Sequence, residues 1–239
     1  MEKQKYFTIR ADIKNSSKNK KYEELNDLVG KTNQTLSKII NNNKAIISFK
    51  VRFGDEIFAV YDNLHDGIEA YQILLYHALS MEIPLYIGCG YGTLEKITND
   101  EHLINGESIW FATDAIESIK DILGKYNEKL NIKTDVRIKF NISSDNKKNR
   151  NVQNIFYVIS DKIAKRTEQQ HRAVNLIKEN KQLENYQLYD ILEGNINYQN
   201  TDKEKEEKRI KFTKYLQRAE YYFVNDLIKT LIYLIKGEW

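Results

Sequence analysis

The hydrophobic residues of this chain change period along its length, and the order of those changes restricts the fold more than any other feature. Alternation by two marks a strand, and recurrence near 3.6 marks a helix. Residues 5–13 (KYFTIRADI) carry aromatic and β-branched side chains and run into the polar stretch 14–20, which predicts a strand and then a loop. Residues 21–40 set Leu25, Leu28, Val29, Leu36, Ile39 and Ile40 near helical spacing, and Asn41 to Asn43 end that helix. Residues 45–53 and 57–61 are β-rich runs around Gly54-Asp55-Glu56, a hairpin with glycine in its tight turn. Residues 64–79 read as a helix. Residues 84–91 read as a strand entering the run Gly88-Cys89-Gly90-Tyr91-Gly92. A helix over 107–123 and a strand over 135–143 follow.

The order β-α-β-β-α-β, then helix and strand, predicts an α+β fold of ferredoxin-like or palm type, an antiparallel sheet with helices on one face. Residues 144–154 (SDNKKNRNVQN) are polar and aperiodic. The first domain is therefore expected at 1–145, a linker at 146–154 and an all-helical domain at 155–239. Helices are predicted in that second domain at 155–166, 168–179 and 185–192, with one long helix over 202–236. The single proline, Pro84, leaves long helices uninterrupted there.

Composition excludes several classes of function. One cysteine, Cys89, rules out a disulfide framework and a multi-cysteine zinc site, and fits a reducing compartment. His65, His77, His102 and His171 share no metal-ligand spacing, so zinc is not expected. The N-terminal residues MEKQKYF lack the apolar core of a signal peptide. No apolar run approaches the roughly 18 residues that a membrane span needs. A cytoplasmic protein without a membrane partner is expected. Lys plus Arg is 37 against 34 Asp plus Glu, too close to balance for a protein coated in basic surface.

Two acidic positions stand out by placement. Asp12 ends the first predicted strand, and Asp55 sits in the turn of the hairpin formed by the next two. In a β-α-β-β unit both carboxylates converge on one end of the sheet, where they repel each other unless a cation lies between them. Mg²⁺ takes oxygen ligands, commonly one or two carboxylates plus substrate phosphates. Two such metals about 3.5–4 Å apart clamp an in-line displacement at phosphorus. Asp12 and Asp55 are thus the candidate catalytic residues and metal ligands, with Glu56 as a third ligand for Mg²⁺ or Mn²⁺. Backbone amides after Asp12, at Ile13, Asn15 and Ser16, and at the Gly54 turn are candidates to approach phosphate. Either Asp alone has an ordinary explanation, as a turn residue or a helix cap. Their pairing is the signal.

These residues also carry a resemblance. Ala11-Asp12-Ile13-Lys14-Asn15-Ser16 resembles the GDI-x-NSR opening of the SatD family, and Gly54-Asp55-Glu56-Ile57-Phe58 its GDEF hairpin. Ile87 to Gly92 resembles its GIGxG strand, and residues 106–120 (GESIWFATDAIESIK) its following helix, which ends on Lys120, a further cofactor-binding candidate. Arg166-Thr167-Glu168-Gln169-Gln170 is similar to the WTxKQ that opens that family's helix-turn-helix, and residues 212–222 to its last helix. The first half is similar to the wider palm group of class III nucleotide cyclases, GGDEF enzymes and CRISPR polymerases. The resemblance implies a metal-bound nucleoside triphosphate or other nucleotide. Ala11 replaces the usual glycine and Ser17 the arginine of NSR. The third helix holds Trp110, Ala112, Thr113 and Asp114 where the family carries an arginine. A missing transition-state cation favours nucleotide binding, or sensing, over turnover by a cyclase- or polymerase-like enzyme.

The helical part has an alternative reading as a DNA-binding regulator. Lys208, Arg209, Lys211, Lys214 and Arg218 recur along one helix and are the DNA-binding candidates. Against this, residues 161–239 hold 15 Lys plus Arg and 13 Asp plus Glu, and residues 194–202 stretch the joint between the second and third helices. The run from Tyr221 to Leu234 is apolar on most faces, so packing against the body together with homodimer contact is expected.

Overall fold

Strand β1 (Lys5–Ile13) is buried along most of its length on both faces, and β3 (Glu56–Tyr61) is buried at every residue. That pattern needs cover on both sides of the sheet. The computed structural model describes residues 3–14, 21–40, 45–120, 129–195 and 200–237. Five strands form one mixed sheet, completed by β2 (Ala45–Arg52), β4 (Leu85–Thr93) and β5 (Arg137–Asn141), in the order β2-β3-β1-β4-β5. β1 is antiparallel to both its neighbours, β2 pairs antiparallel with β3, and β5 runs parallel to β4.

One face carries α1 (Lys21–Ile39), α2 (Leu64–Ser80) and α4 (Asn146–Ala164). Phe7 of β1 meets Phe140 of β5 edge-on at 5.2 Å, and Phe140 meets Phe156 of α4 at the same separation. Tyr71 of α2 packs on Phe156 at 4.4 Å and shares a hydrogen bond with the Ser160 hydroxyl, 2.6 Å long, so the buried phenol is satisfied.

The opposite face carries α3 (Glu107–Lys120), the crossover that a parallel β4–β5 pair requires. Its backbone lies directly on β4. A Cβ at Gly88 would stand 2.5 Å from the Ala112 carbonyl oxygen, and one at Gly90 2.1 Å from that of Ser108. The glycine run is thus a seat for a helix, and it corrects the expectation of helices on one face. Ile104, shortly before α3, and Ile109 in its first turn close over Tyr6, Ile47, Phe58 and Val60.

Two further expectations are corrected. Residues 146–154, read as a linker, form the first half of α4. Their polar side chains bond the neighbouring strand and the residue after it: Gln153 accepts from the Phe140 amide at 2.9 Å, and Asn149 accepts from the Ile142 amide at 2.9 Å. The long helix over 202–236 is two helices, α7 (Asp202–Arg218) and α8 (Tyr221–Lys236), broken at Glu220 with φ +51°. Residues 121–123, expected to end the third helix, lie outside the described residues.

The chain divides into two compact units. The first runs up to Ala164 and takes in α8 from Ile228; the second is Lys165–Leu227. The second contains α5 (Glu168–Glu179), α6 (Asn185–Glu193), α7 and the start of α8. Its own core joins Ala173, Val174, Leu188, Leu192, Phe212 and Leu216. Capping boxes at Thr167 and Thr201 begin α5 and α7. No described helix is long and apolar enough to cross a membrane.

Gly90→Ala should lower unfolding stability by about 1–3 kcal/mol, because helix backbone cannot yield to the new methyl. Gly30→Ala, in α1 with nothing within 4 Å of the added Cβ, should gain about 0.5–1 kcal/mol. Urea unfolding of the two variants measures both; equal midpoints would refute the close seat of α3.

Candidate functional site: a charged row across the sheet

Strand register lines up five side chains in one row. Arg52 of β2 faces Glu56 of β3, Glu56 faces Asp12 of β1, Asp12 faces Tyr86 of β4, and Tyr86 faces Arg137 of β5. Residues directly opposite share a face. Here it is the α3 face: Lys120 at the end of α3 donates to Asp12, and Arg10, two residues before Asp12, donates to Thr113.

The two carboxylates at the centre of this row differ in environment. Glu56 is 5 % exposed, and both its oxygens are taken, Oε2 by Arg10 and Oε1 by Arg52. Arg52 also donates to the Glu101 carbonyl at 3.0 Å and lies over the Phe58 ring at 3.7 Å. Burial pulls the Arg52 pKa down while the charge of Glu56 supports its ionised form. Glu56 is therefore the centre of a closed ion-pair cluster. This corrects its expected role as a third metal ligand, because an ion could reach it only by displacing an arginine.

Asp12 is half-satisfied. Its Oδ2 accepts from Lys120, while its Oδ1 is buried without a hydrogen-bond partner. Burial pushes its carboxyl above the usual range, Lys120 opposes that shift, and the nearby charge of Glu56 adds to it. Asp55 is half-buried in the turn, one residue before Asp12's cross-strand partner, so both aspartates belong to the same end of the sheet. The turn is made by Phe53 (φ 54°) and Gly54 (φ 92°), both left-handed. A Cβ at Gly54 would meet nothing within 4 Å, so this glycine serves conformation alone.

Of the remaining candidates, Ile13 is buried, and Asn15 and Ser16 lie outside the described residues. The Lys14 amide, in the segment expected to approach phosphate, donates to the Pro84 carbonyl at 3.1 Å. Among the described residues no group of three or more His, Cys, Asp or Glu could hold a metal ion.

No family model and no curated protein matches this chain.

Sequence reasoning overlooked the cations around the row. Arg10 of β1 and Lys14 just beyond it share Asp12's parity, and register sets Arg52 of β2 and Arg137 of β5 in Asp12's row. Arg137 lies 5.7 Å and Lys14 5.9 Å from the Tyr86 ring centre. Asp135 joins them: burial works against its charge, but Lys14, with Lys129 and Arg137, outweighs it and holds the carboxyl below its ordinary range. The signal was parity along β1 relative to Asp12.

In the second unit, two of the five expected DNA contacts are committed elsewhere. Lys208 pairs with Asp190 at 2.6 Å and Arg209 with Glu184. Lys211, Lys214 and Arg218 are exposed along one side of α7.

Glu56→Gln should destabilise the protein by about 3–5 kcal/mol, since it strands buried Arg52 and part-buried Arg10. Asp12→Asn should do the reverse. A raised carboxylate pKa means that stability is full below the unfolded-state pKa and is lost as pH rises through the folded one. The Asn variant should thus show the higher urea midpoint near neutral pH, with the gap closing toward about pH 3. A lower midpoint for it at neutral pH would show that Lys120 outweighs burial.

Proposed function

We propose that the first unit is a palm-type, SatD-like domain that binds a nucleotide, as a nucleoside polyphosphate, together with Mg²⁺ or Mn²⁺ at Asp12 and Asp55. The carrying observation is Asp12 Oδ1, a buried carboxylate oxygen without a hydrogen-bond partner, with Lys120 and Arg10 close by and Asp55 at the same end of the sheet. A buried acceptor left unmade costs about 1–3 kcal/mol, and a cation removes that cost. The strand order β2-β3-β1-β4, with carboxylates on the central strand and its neighbouring hairpin, supports the same reading.

Each residue then has a task. Asp12 and Asp55 hold the ion, which when bound would screen phosphate charge. Lys120, on a flexible stem and 45 % exposed, exchanges Asp12 for a phosphate oxygen. Arg137 and Lys14 extend the positive field toward β5. The Glu56 cluster fixes the wall of the site. Turnover of cyclase or polymerase type would need Lys120 or Arg137 to supply the charge of the arginine that α3 lacks; without it the chain acts as a nucleotide sensor.

Calorimetric titration with ATP and GTP in Mg²⁺ or Mn²⁺ tests this. Binding should be metal-dependent and fall at least about tenfold in Asp12→Ala and in Asp55→Ala. No binding, or binding unchanged in both variants, would overturn it.

A second reading rests on the exposed line of Lys211, Lys214 and Arg218 on α7, which could meet a DNA backbone. It predicts a mobility shift at low salt that Ala substitution of all three removes. Absence of any shift at low salt would refute it.

A further inference from the structure

We infer that the first unit holds a second anion site, suited to a phosphate monoester on a small aromatic or apolar body, far from the Asp12 row. A cleft of about 370 Å³ opens at the other end of the sheet. Lys5 of β1, Lys148 of α4 and Lys236 of α8 converge on it, with Asn151 and Tyr91 beside them and buried Val152 at its base. All these elements belong to the same compact unit.

The placement separates this cleft from the candidate nucleotide site. Lys5 precedes Asp12 by seven residues of extended strand, roughly 23 Å. Tyr91 is paired with Phe7 and shares its parity, so it faces the side of the sheet that α2 and α4 cover, opposite the Asp12 row. The inference therefore does not rest on the nucleotide reading.

Charge and shape give the ligand class. Three lysines from segments distant in sequence line the cleft, and no acidic residue lines it among the described residues. Converging like charges repel, and an anion between them converts that repulsion to attraction. Lysine binds phosphate as a point charge without demanding a planar partner. Asn151 offers an amide donor. The Tyr91 ring and Val152 offer an apolar surface that a bare ion would leave unused. The volume lies within the usual few hundred Å³ of small-molecule sites.

Phenyl phosphate and inorganic phosphate are the probes, titrated into the full chain by calorimetry and by amide chemical shifts. Saturable phenyl phosphate binding is expected, tighter than inorganic phosphate, with shifts grouped in residues 142–152 and 234–237. The double variant Lys148→Glu, Lys236→Glu alters two exposed side chains and should weaken binding at least about tenfold at an unchanged thermal midpoint. Asp12→Ala should leave this binding intact. No saturable binding at millimolar concentration, equal binding by the double variant, or loss of binding in Asp12→Ala would each overturn the assignment. If the double variant unfolds, Lys5→Glu replaces it, with the same two outcomes.

Discussion

The backbone of α3 rests on the backbone of β4 at Gly88 and Gly90, where one methyl group would collide with helix atoms. Side chains normally hold a helix about 10 Å from a sheet, and their removal lets the two approach until main chain meets main chain. The approach decides what α3 presents to the sheet. Thr113 reaches Arg10, Lys120 reaches Asp12, and the Ile119 carbonyl accepts from Arg137 at 3.2 Å. A helix seated farther out would leave Asp12 and Arg137 without these partners. The glycine run acts here through packing.

The row also separates two tasks that sequence alone assigns to one cluster. Glu56 and Asp12 are cross-strand neighbours, yet one is closed by two arginines and the other keeps a bare oxygen. A closed cluster gives shape and resists intrusion. A carboxylate whose charge is opposed by burial, with one oxygen unmet, is the kind of group that a ligand relieves. The difference arises from two arginines at alternate positions of flanking strands, not from the carboxylates themselves.

Strand and helix positions in the first unit were largely legible, because alternation in β1 and helical spacing in α1 and α2 each reflect a buried face. The failures have physical causes. The polar run 146–154 resembles a loop, but Gln153 bonds the β5 backbone and Asn149 the backbone of the two residues that follow that strand; composition cannot tell a solvent contact from a backbone one. The break between α7 and α8 falls at Ala219-Glu220, with no glycine or proline to mark it, and only tertiary context places Glu220 in left-handed backbone. Asp12 and Asp55 were found through their strand-end and turn positions. The arginines were missed because their significance depends on register, which appears only once the strands are paired. Lys208 and Arg209 looked like a basic line along one helix, but their partners Asp190 and Glu184 come from α6 and the residue before it, through folding.

The first unit is interrupted in sequence: the second unit is inserted between Ala164 and Ile228. The ribosome therefore releases the whole sheet before the stretch from Ile228 that belongs with it. The second unit, continuous from Lys165 to Leu227, has all its parts in hand earlier than the first. During synthesis the larger unit must persist without its last helical segment, and the three-lysine cleft has one wall missing until Lys236 emerges.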